Sequence, residues 1–289
     1  MAKFIQYMTK DSLYDGPFDD VSGWPAAGMG YVVVTDEGRL LVVDGGQPND
    51  ADSLLELLAA QSGGKTVYVD SWIITHAHLD HYGAVREIAK NEELKNRISV
   101  GEFVYLFPDD FYSKNGKHQS FAEQEGEMRE IADVLGAKCV TPKRGDIAVL
   151  DDITVEYVYV PDDCSIINTS NGSANLCSLV FVIAGKNKRV MITGDAYRRS
   201  LQVTAWIYAG KLKCEILQMP HHALCDSVCA EFYNCVDPEE LLFPISAAGY
   251  RAMHSDYYTR LEACKTNLAL EEKAKKSYKA FEGNAEFYI

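Results

Sequence analysis

Apolar, β-branched stretches alternate along the chain with stretches whose apolar residues have helical spacing. In the first half, strand-like runs at 31–35 and 39–44 flank the turn Asp36-Glu37-Gly38, a pattern that predicts a hairpin. The further elements predicted in this half are a helix from Asp50 or Asp52 to Gly63-Gly64, a buried strand at 66–75, a helix at 82–90, a strand at 99–107 and a helix at 119–135.

The second half repeats this alternation. Its predicted elements are half-exposed strands at 149–160, a strand pair at 175–184 and 188–193, a helix at 199–209, a strand at 214–219 and a helical tail at 256–276. No low-complexity linker or short repeat separates the halves. We therefore expect one α/β domain over residues 1–289, with sheets inside and helices outside.

Composition narrows the functional classes. The 289 residues include 28 Lys and Arg against 42 Asp and Glu, which gives a formal net charge of −14, and 47% of them are hydrophobic. Because such a chain repels polyanions over most of its surface, we do not expect long nucleic acid or an anionic membrane as a partner. No apolar run has the length of a membrane span or a signal peptide, and the eight cysteines of a chain this large favour reduced thiols. A cytoplasmic location is the expectation.

The densest chemistry lies at residues 75–81, Thr-His-Ala-His-Leu-Asp-His, directly after a predicted buried strand. Three imidazoles and a carboxylate offer nitrogen and oxygen ligands from a single turn at a sheet edge. His76 and His78 are two residues apart, so they point the same way in an extended backbone. Asp80 and His81 fall where the chain turns into a helix. The spacing predicts a site that can divide between two adjacent cations, with a surface turn of incidental metal affinity as the alternative.

The string His-x-His-x-Asp-His at 76–81, preceded by Asp44-Gly45-Gly46, resembles the metallo-β-lactamase superfamily of metal-dependent hydrolases. Val-Met-Ile-Thr-Gly-Asp at 190–195 resembles the strand that delivers the family's metal-bridging aspartate. Leu-Gln-Met-Pro-His-His at 217–222 resembles the strand that delivers its last ligand. The resemblance implies a four-layer αββα sandwich, with two mixed sheets inside and helices outside.

Carried over position by position, the family pattern implies two divalent metal ions, Zn or Mn. It assigns His76 and His78 to the first ion, Asp80 and His81 to the second, and Asp195 to a place between them. His221 would complete the second site. His222 is the competing choice, because a His-His pair at a strand end does not reveal which imidazole points inward.

One position departs from the common zinc pattern. Most members supply another histidine between the first cluster and the bridging aspartate, but here a predicted strand begins with Asn175, and the only histidine of that interval is His118. The motif Asn-x-x-Ser-Leu-Val at 175–180 resembles the hydrolase domain of ComEC-type competence proteins, as do the segments 248–255 and 280–287. An amide is a weaker zinc donor than imidazole, so the first site would be looser, prefer a harder cation such as manganese, or fill only with substrate. Alternatively, Asn175 bonds substrate or only neighbouring backbone.

Three further features are weaker candidates. His254 is a candidate proton donor or substrate contact, with an ordinary surface histidine as the alternative. The aromatic loop from Tyr105 to His118 would cover a substrate, and edge packing is its alternative. A structural zinc at Cys225, Cys229 and Cys235 is not favoured, because closed zinc sites usually pair their ligands in tighter turns.

Together these features predict a metal-dependent hydrolase in which a hydroxide held between two cations attacks an electrophilic centre, with Asp80 and Asp195 as catalytic residues. The ComEC resemblance makes a phosphodiester of a small or short substrate the preferred bond, with Asn175 and His254 as substrate contacts. Two divalent cations would add about four positive charges to the cleft, so it can attract a small anion despite the acidic chain. Hydrolysis of a carboxylic ester, lactone or thioester is the alternative chemistry, and a non-catalytic metal-binding scaffold is the alternative class. The sequence makes no prediction of oligomeric state.

Overall fold

The strand-forming runs assemble into two mixed sheets. The computed structural model describes residues 1–17, 27–63, 66–107, 121–161, 174–224, 227–256 and 258–289. In spatial order, the first sheet consists of β14 (Ala285–Tyr288), β1 (Lys3–Gln6), β2 (Gly30–Val34), β3 (Leu40–Asp44), β4 (Val67–Ile73), β5 (Ile98–Val104) and β6 (Lys138–Val140). The second sheet consists of β13 (Lys276–Lys279), β12 (Glu240–Phe243), β11 (Ile216–Gln218), β10 (Arg189–Ile192), β9 (Val180–Ala184), β8 (Ile153–Tyr159) and β7 (Ile147–Leu150).

Helices follow the strands in sequence and cover the sheets. Within the described ranges they are α1 (Ala51–Gln61), α2 (Leu79–Lys90), α3 (Glu92–Lys95), α4 (Phe121–Leu135), α5 (Arg198–Tyr208), α6 (Ala230–Val236), α7 (Ala247–Met253) and α8 (Glu262–Lys273). Their buried faces repeat at helical spacing, as Leu54, Leu55 and Leu58 do in α1.

Three apolar layers hold the sheets and helices together. A central core between the two sheets includes Tyr31 and Phe181, both almost fully buried. One outer core packs the apolar faces of α1, α2 and α4 against Trp72 and its neighbours, and the other packs α5 and α6 against the second sheet. The arrangement confirms the predicted αββα sandwich with two mixed sheets inside.

Pairing directions bring particular strand ends to one edge. β3 pairs parallel with β4, and β10 pairs parallel with β11, so the carboxyl ends of each pair point the same way. β9 runs antiparallel to β10, so the segment before β9 lies beside the end of β10. A backbone hydrogen bond of 2.9 Å from Leu179 N to Thr75 O joins the two sheets at this edge.

Several predicted elements differ from the structure. Asn175 does not begin a strand but lies in a buried 3₁₀-helix, Ala174–Cys177, that precedes β9. The predicted helical tail at 256–276 is a helix only over Glu262–Lys273, after which the chain enters β13. The candidate loop residues 108–118, with His118, lie outside the described residues.

Most cysteines of the described residues are free thiols. The free ones are Cys139, Cys177, Cys214, Cys229 and Cys235. Cys264 is disulfide-bonded, so the expectation of reduced thiols is wrong for that residue. Cys225, a member of the cysteine set considered for zinc, is outside the described residues. Within the described ranges, no helix combines the length and the apolar character that crossing a membrane requires.

Candidate metal centre

Residues that follow four strands of both sheets meet at the shared edge. Asp44 ends β3 and His76 follows β4, while Asp195 and the His221-His222 pair follow β10 and β11. The helix α2 starts directly after His78, which places Asp80 in its first turn. The four potential ligand side chains of the 76–81 string thus face the residues delivered by the second sheet.

One set of four side chains, called here the second group, converges within 4.8 Å. Its members are Asp80, His81, Asp195 and His222. Nε2 of His81 is 3.3 Å from Oδ2 of Asp195 and 3.8 Å from Oδ2 of Asp80. Nε2 of His222 is 3.3 Å from Oδ2 of Asp80 and 3.6 Å from Oδ1 of Asp195. Ligands about 2.0–2.2 Å from a tetrahedral zinc are about 3.3–3.6 Å apart, so these separations suit one cation.

A second set, called here the first group, shares Asp195. It consists of His76, His78 and Asp195. Nε2 of His76 is 3.0 Å from Nδ1 of His78 and 3.6 Å from Oδ2 of Asp195. The two groups therefore meet on one carboxylate, and their donors are nitrogen and oxygen atoms of the kind that borderline and harder divalent cations prefer.

Buried polar atoms test whether the residues fit such ions. His81 Nε2, His222 Nε2 and Asp195 Oδ1 have almost no solvent exposure and make no hydrogen bond within the described part of the chain. A buried polar atom without a partner is costly, and a cation in the second group would satisfy all three. The side chains fit a divalent metal ion.

Sequence comparison decides the family. A family profile described as the Metallo-beta-lactamase superfamily matches residues 25–228. The chain belongs to the metallo-β-lactamase superfamily. Members of this superfamily are mostly metal-dependent hydrolases that bind divalent metals, often two. No curated protein matches the chain significantly.

Solved structures share the superfamily fold at low identity. The metallo-β-lactamase fold protein YhfI from Bacillus subtilis is 12% identical with a TM-score of 0.55, and the match covers 99% of this chain and 100% of that one. Zn²⁺-bound PqqB from Methylobacterium extorquens is 10% identical with a TM-score of 0.58 over the whole of both chains. Tm1679, described as a metal-dependent hydrolase of the β-lactamase superfamily, is 15% identical with a TM-score of 0.53 and covers 99% of each chain. At these identities the likeness shows the fold.

Asp44 orients the 75–81 segment through hydrogen bonds to Thr75 and His81. It is fully buried in a left-handed conformation, with φ of 53°, and its carboxylate accepts three hydrogen bonds. Oδ1 accepts from Thr75 N at 2.8 Å, and Oδ2 accepts from Thr75 Oγ1 at 2.9 Å and from His81 Nδ1 at 2.8 Å. With its Nδ1 proton held in this way, His81 directs Nε2 into the second group.

His222 is oriented in the same manner by the backbone. Its Nδ1 donates to the carbonyl oxygen of Pro244 at 2.6 Å, which leaves Nε2 facing Asp80 and Asp195. Both imidazoles of the second group are therefore fixed through the nitrogen that does not face the site.

The turn that carries Asp195 is tightly supported. Gln218 Oε1 accepts from Thr193 N at 2.7 Å, and Gln218 Nε2 donates to Gly194 O at 3.1 Å. Gly194 has φ of +51°, and a Cβ there would lie 2.8 Å from the Cβ of Thr75. Glycine at 194 thus lets the turn before Asp195 approach the Thr75 side chain closely.

Charges within the centre oppose the cost of burial. Burial disfavours ionisation of Asp195, but His81, His222 and His221 outweigh it and hold the pKa of Asp195 well below its usual range. Burial lowers the pKa of His81, yet Asp195, Asp44 and Asp80 together raise that pKa well above the usual value. For His76, burial and the neighbouring His81 hold the pKa well below the usual value. In the metal-free centre, burial thus favours the neutral form of His76, whereas the facing carboxylates favour the protonated form of His81.

The His-His pair does not divide as the sequence expectation had it. His222, the competing choice, joins Asp80 and His81 in the second group. His221 instead lies with Nε2 3.7 Å from Oδ2 of Asp195 and 3.1 Å from Nδ2 of Asn175. Both residues have left-handed backbone, with φ of 47° and 53°, which sends neighbouring imidazoles to opposite oxygens of one carboxylate. Their roles as metal ligands stay predictions.

The two expected substrate contacts have different surroundings. Asn175 lies at the centre, where Nδ2 donates to Tyr197 Oη at 3.3 Å. His254 packs on the ring of Tyr250, with Nδ1 bonded to Tyr250 O at 2.9 Å and Nε2 3.7 Å from Glu271. The structure therefore places Asn175 at the metal centre, whereas the contacts of His254 are with Tyr250 and Glu271.

Sequence reasoning missed two residues of the centre. Asp44 entered the sequence analysis as the end of a hairpin and as part of the family resemblance, but it was given no role at the site, although an acid that closes an apolar strand and precedes Gly-Gly is a detectable signal. Tyr197 went unnoticed because it sits two residues after Asp195 with no motif of its own, and its ring packs 5.5 Å from that of His221.

Proposed function

We propose that this superfamily member is a metal-dependent phosphodiesterase that acts on a small or short substrate. The observation that carries the proposal is the shared carboxylate of Asp195, which stands between two groups of nitrogen and oxygen donors at the edge where both sheets end. Two cations, when bound, would lower the pKa of a water between them and neutralise negative charge that develops on a phosphoryl centre.

The two carboxylates differ in access and therefore in role. The side chain of Asp80 is 18% exposed, whereas that of Asp195 is 2% exposed. Asp80 is the carboxylate that a substrate water can reach, so it orients the water and accepts its proton. Asp195, enclosed by imidazoles, holds the two groups at a fixed separation.

Polar side chains beside His221 suit a phosphoryl group. Asn175 Nδ2 and the Tyr197 hydroxyl lie 3.3 Å apart, and both can donate to non-bridging oxygens. The resemblance of the segment around Asn175 to ComEC-type hydrolase domains supports the same bond. The net charge of −14 favours a small or short substrate over a duplex, since a duplex would also touch the acidic outer surface.

A hydrolase panel on the metal-reconstituted protein tests this function. The protein is stripped with chelator, loaded with Zn²⁺ or Mn²⁺, and assayed against bis(p-nitrophenyl) phosphate, p-nitrophenyl acetate, a lactone and a thioester. We expect the phosphodiester to be cleaved at the highest kcat/KM. Asp80→Asn should lower kcat/KM about a hundredfold or more. Loss of a hydrogen-bond partner of a metal ligand already lowers activity 10–100-fold, and loss of the ligand itself should cost more.

Asp133→Asn is the matched control, since it makes the same change on the exposed face of α4. Faster cleavage of the ester, lactone or thioester would overturn the phosphodiesterase proposal and favour acyl hydrolysis. Two bound metals without turnover of any substrate would favour the non-catalytic scaffold.

A further inference from the structure

The turn after β11 places His221 beside the first group. Pro220–Ala223 contains three successive residues with positive φ, His221, His222 and Ala223, at 47°, 53° and 64°. Such conformations cost on the order of 1–3 kcal/mol each for residues other than glycine, and they cluster where function requires them. Backbone bonds anchor the turn: His221 N donates to Gly194 O at 3.1 Å, and Leu224 N donates to His221 O at 2.8 Å.

The His221 imidazole lies at ligand spacing from Asp195, although it belongs to neither group as the side chains stand. Its Nε2 is 3.7 Å from Asp195 Oδ2, within the 3.3–3.8 Å range that separates ligand atoms of the second group. His76 Nε2 lies 3.6 Å from the same oxygen. Two imidazoles of different sheets thus stand at ligand spacing from the oxygen that the first group uses.

Asn175 identifies the place that this imidazole takes. The first group contains two imidazoles and the carboxylate that it shares with the second group, so it lacks the third nitrogen that a three-histidine zinc site supplies. The amide nitrogen of Asn175 lies 3.1 Å from His221 Nε2, so the imidazole from the turn occupies the space beside that amide. Asn175 Nδ2 carries two protons and also donates to Tyr197 at 3.3 Å, so it keeps that bond when His221 turns to a cation.

We propose that His221 is the third imidazole of the first metal site, supplied by the turn after the second sheet. The proton of Asn175 that His221 gives up becomes available to the substrate, which couples filling of the first site to substrate contact. This inference rests on the metal-binding part of the proposed function and is independent of the phosphodiester.

Metal stoichiometry tests the inference without a substrate. The chelator-stripped protein is titrated with Co²⁺, the visible absorption is followed at each equivalent, and bound metal is measured by elemental analysis after gel filtration. The wild type should bind two equivalents. His221→Gly should keep one and weaken the other at least about tenfold, because one of three protein nitrogens is lost. Glycine suits the left-handed backbone at 221, so the variant should fold.

Ala209→Gly is the control for the backbone change, because Ala209 is an exposed left-handed residue, with φ of 39°, at the end of α5. It should bind both equivalents as the wild type does. Adding Asn175→His to His221→Gly should restore the weakened equivalent by offering an imidazole from the neighbouring position.

The outcomes separate this inference from the proposed function. Two equivalents at wild-type affinity in His221→Gly, or a single equivalent in the wild type, would overturn the role of His221 even if phosphodiesters are cleaved. Loss of one equivalent in His221→Gly supports that role even if the panel finds no phosphodiesterase activity.

Discussion

Replacing Asp44 with Asn tests how the centre is pre-organised. In Asp44→Asn the amide oxygen takes the Oδ1 position and still accepts from Thr75 N, while the NH₂ group replaces Oδ2. That group faces His81 Nδ1 at 2.8 Å and can only donate to it. His81 must then carry its proton on Nε2, the nitrogen that faces Asp195 and Asp80. The substitution therefore turns the predicted metal ligand His81 into a hydrogen-bond donor without changing its position.

The expected loss of metal affinity follows from the hydrogen bond between Asp44 and His81 that the substitution changes. Loss of the partner that fixes a ligating histidine typically costs 10–100-fold in metal affinity, or about 1.4–2.8 kcal/mol at 1.4 kcal/mol per tenfold. We expect the Kd of the more tightly bound metal to rise by this factor. The assay is competition with a chelating dye on stripped protein, and nitrogen NMR of the His81 ring reports the tautomer directly.

Two results would refute this reasoning. An unchanged Kd would show that Asp44 does not act through His81. At a pH where the His81 ring is neutral, an Nδ1-protonated ring in the folded variant would show that the hydrogen bond does not set the tautomer. Asp133→Asn, exposed on α4, should leave both the Kd and the ring spectrum unchanged.

Further predictions concern charge, strain and protons. Asp195→Asn should reduce bound metal below two equivalents by elemental analysis, because the carboxylate belongs to both groups; two tight equivalents would contradict this. Gly194→Ala should lower the free energy of unfolding in urea by about 1–3 kcal/mol, because the added Cβ meets Thr75 at 2.8 Å on a left-handed backbone, and an unchanged midpoint would contradict it. Metal uptake at neutral pH should release protons from His81 and His222, whose pKa values are raised by Asp195 and the other facing carboxylates against the effect of burial; calorimetry in buffers of different ionisation enthalpy counts them, and no release would contradict it. A raised histidine pKa stabilises only the protonated state, so the metal-free protein should lose stability as the pH rises above about 6.5; urea unfolding with chelator at pH 6 and 9 checks this, and equal stability at both would refute it.

The layers of the fold could be predicted because they follow from local patterns. The hairpin of β2 and β3 and the buried strand β4 have β-branched or apolar runs bounded by turn residues. β1 and β12 are only four residues long, and their pairing partners are distant in sequence, as β14 is for β1. Strands of this length are stabilised by tertiary pairing, which periodicity does not report.

The residues of the site could be predicted from the sequence better than the contacts between them. The spacing of histidines and aspartate over residues 76–81 predicts a metal site by itself. Asp195 could be assigned to the same site because it directly follows the strand β10. Asn175 was expected to start a strand, and it lies instead in a 3₁₀-helix, because the chain must turn there to place Ser178 Oγ 3.2 Å from Asp195 N. That contact joins the segment before β9 to the residue after β10, so the sequence around Asn175 alone contains no pattern that predicts it.

The backbone of the His221-His222 turn explains why both imidazoles can face one carboxylate. In an extended strand end, successive side chains point to opposite faces, so only one imidazole of a pair can face a site. Left-handed backbone at both residues removes that alternation, and the ring centroids lie 6.1 Å apart with their Nε2 atoms 3.7 and 3.6 Å from the two oxygens of Asp195. The cost of this backbone is offset by the anchors to Gly194 and Pro244. A strained turn is therefore the means by which two adjacent residues serve opposite sides of one carboxylate.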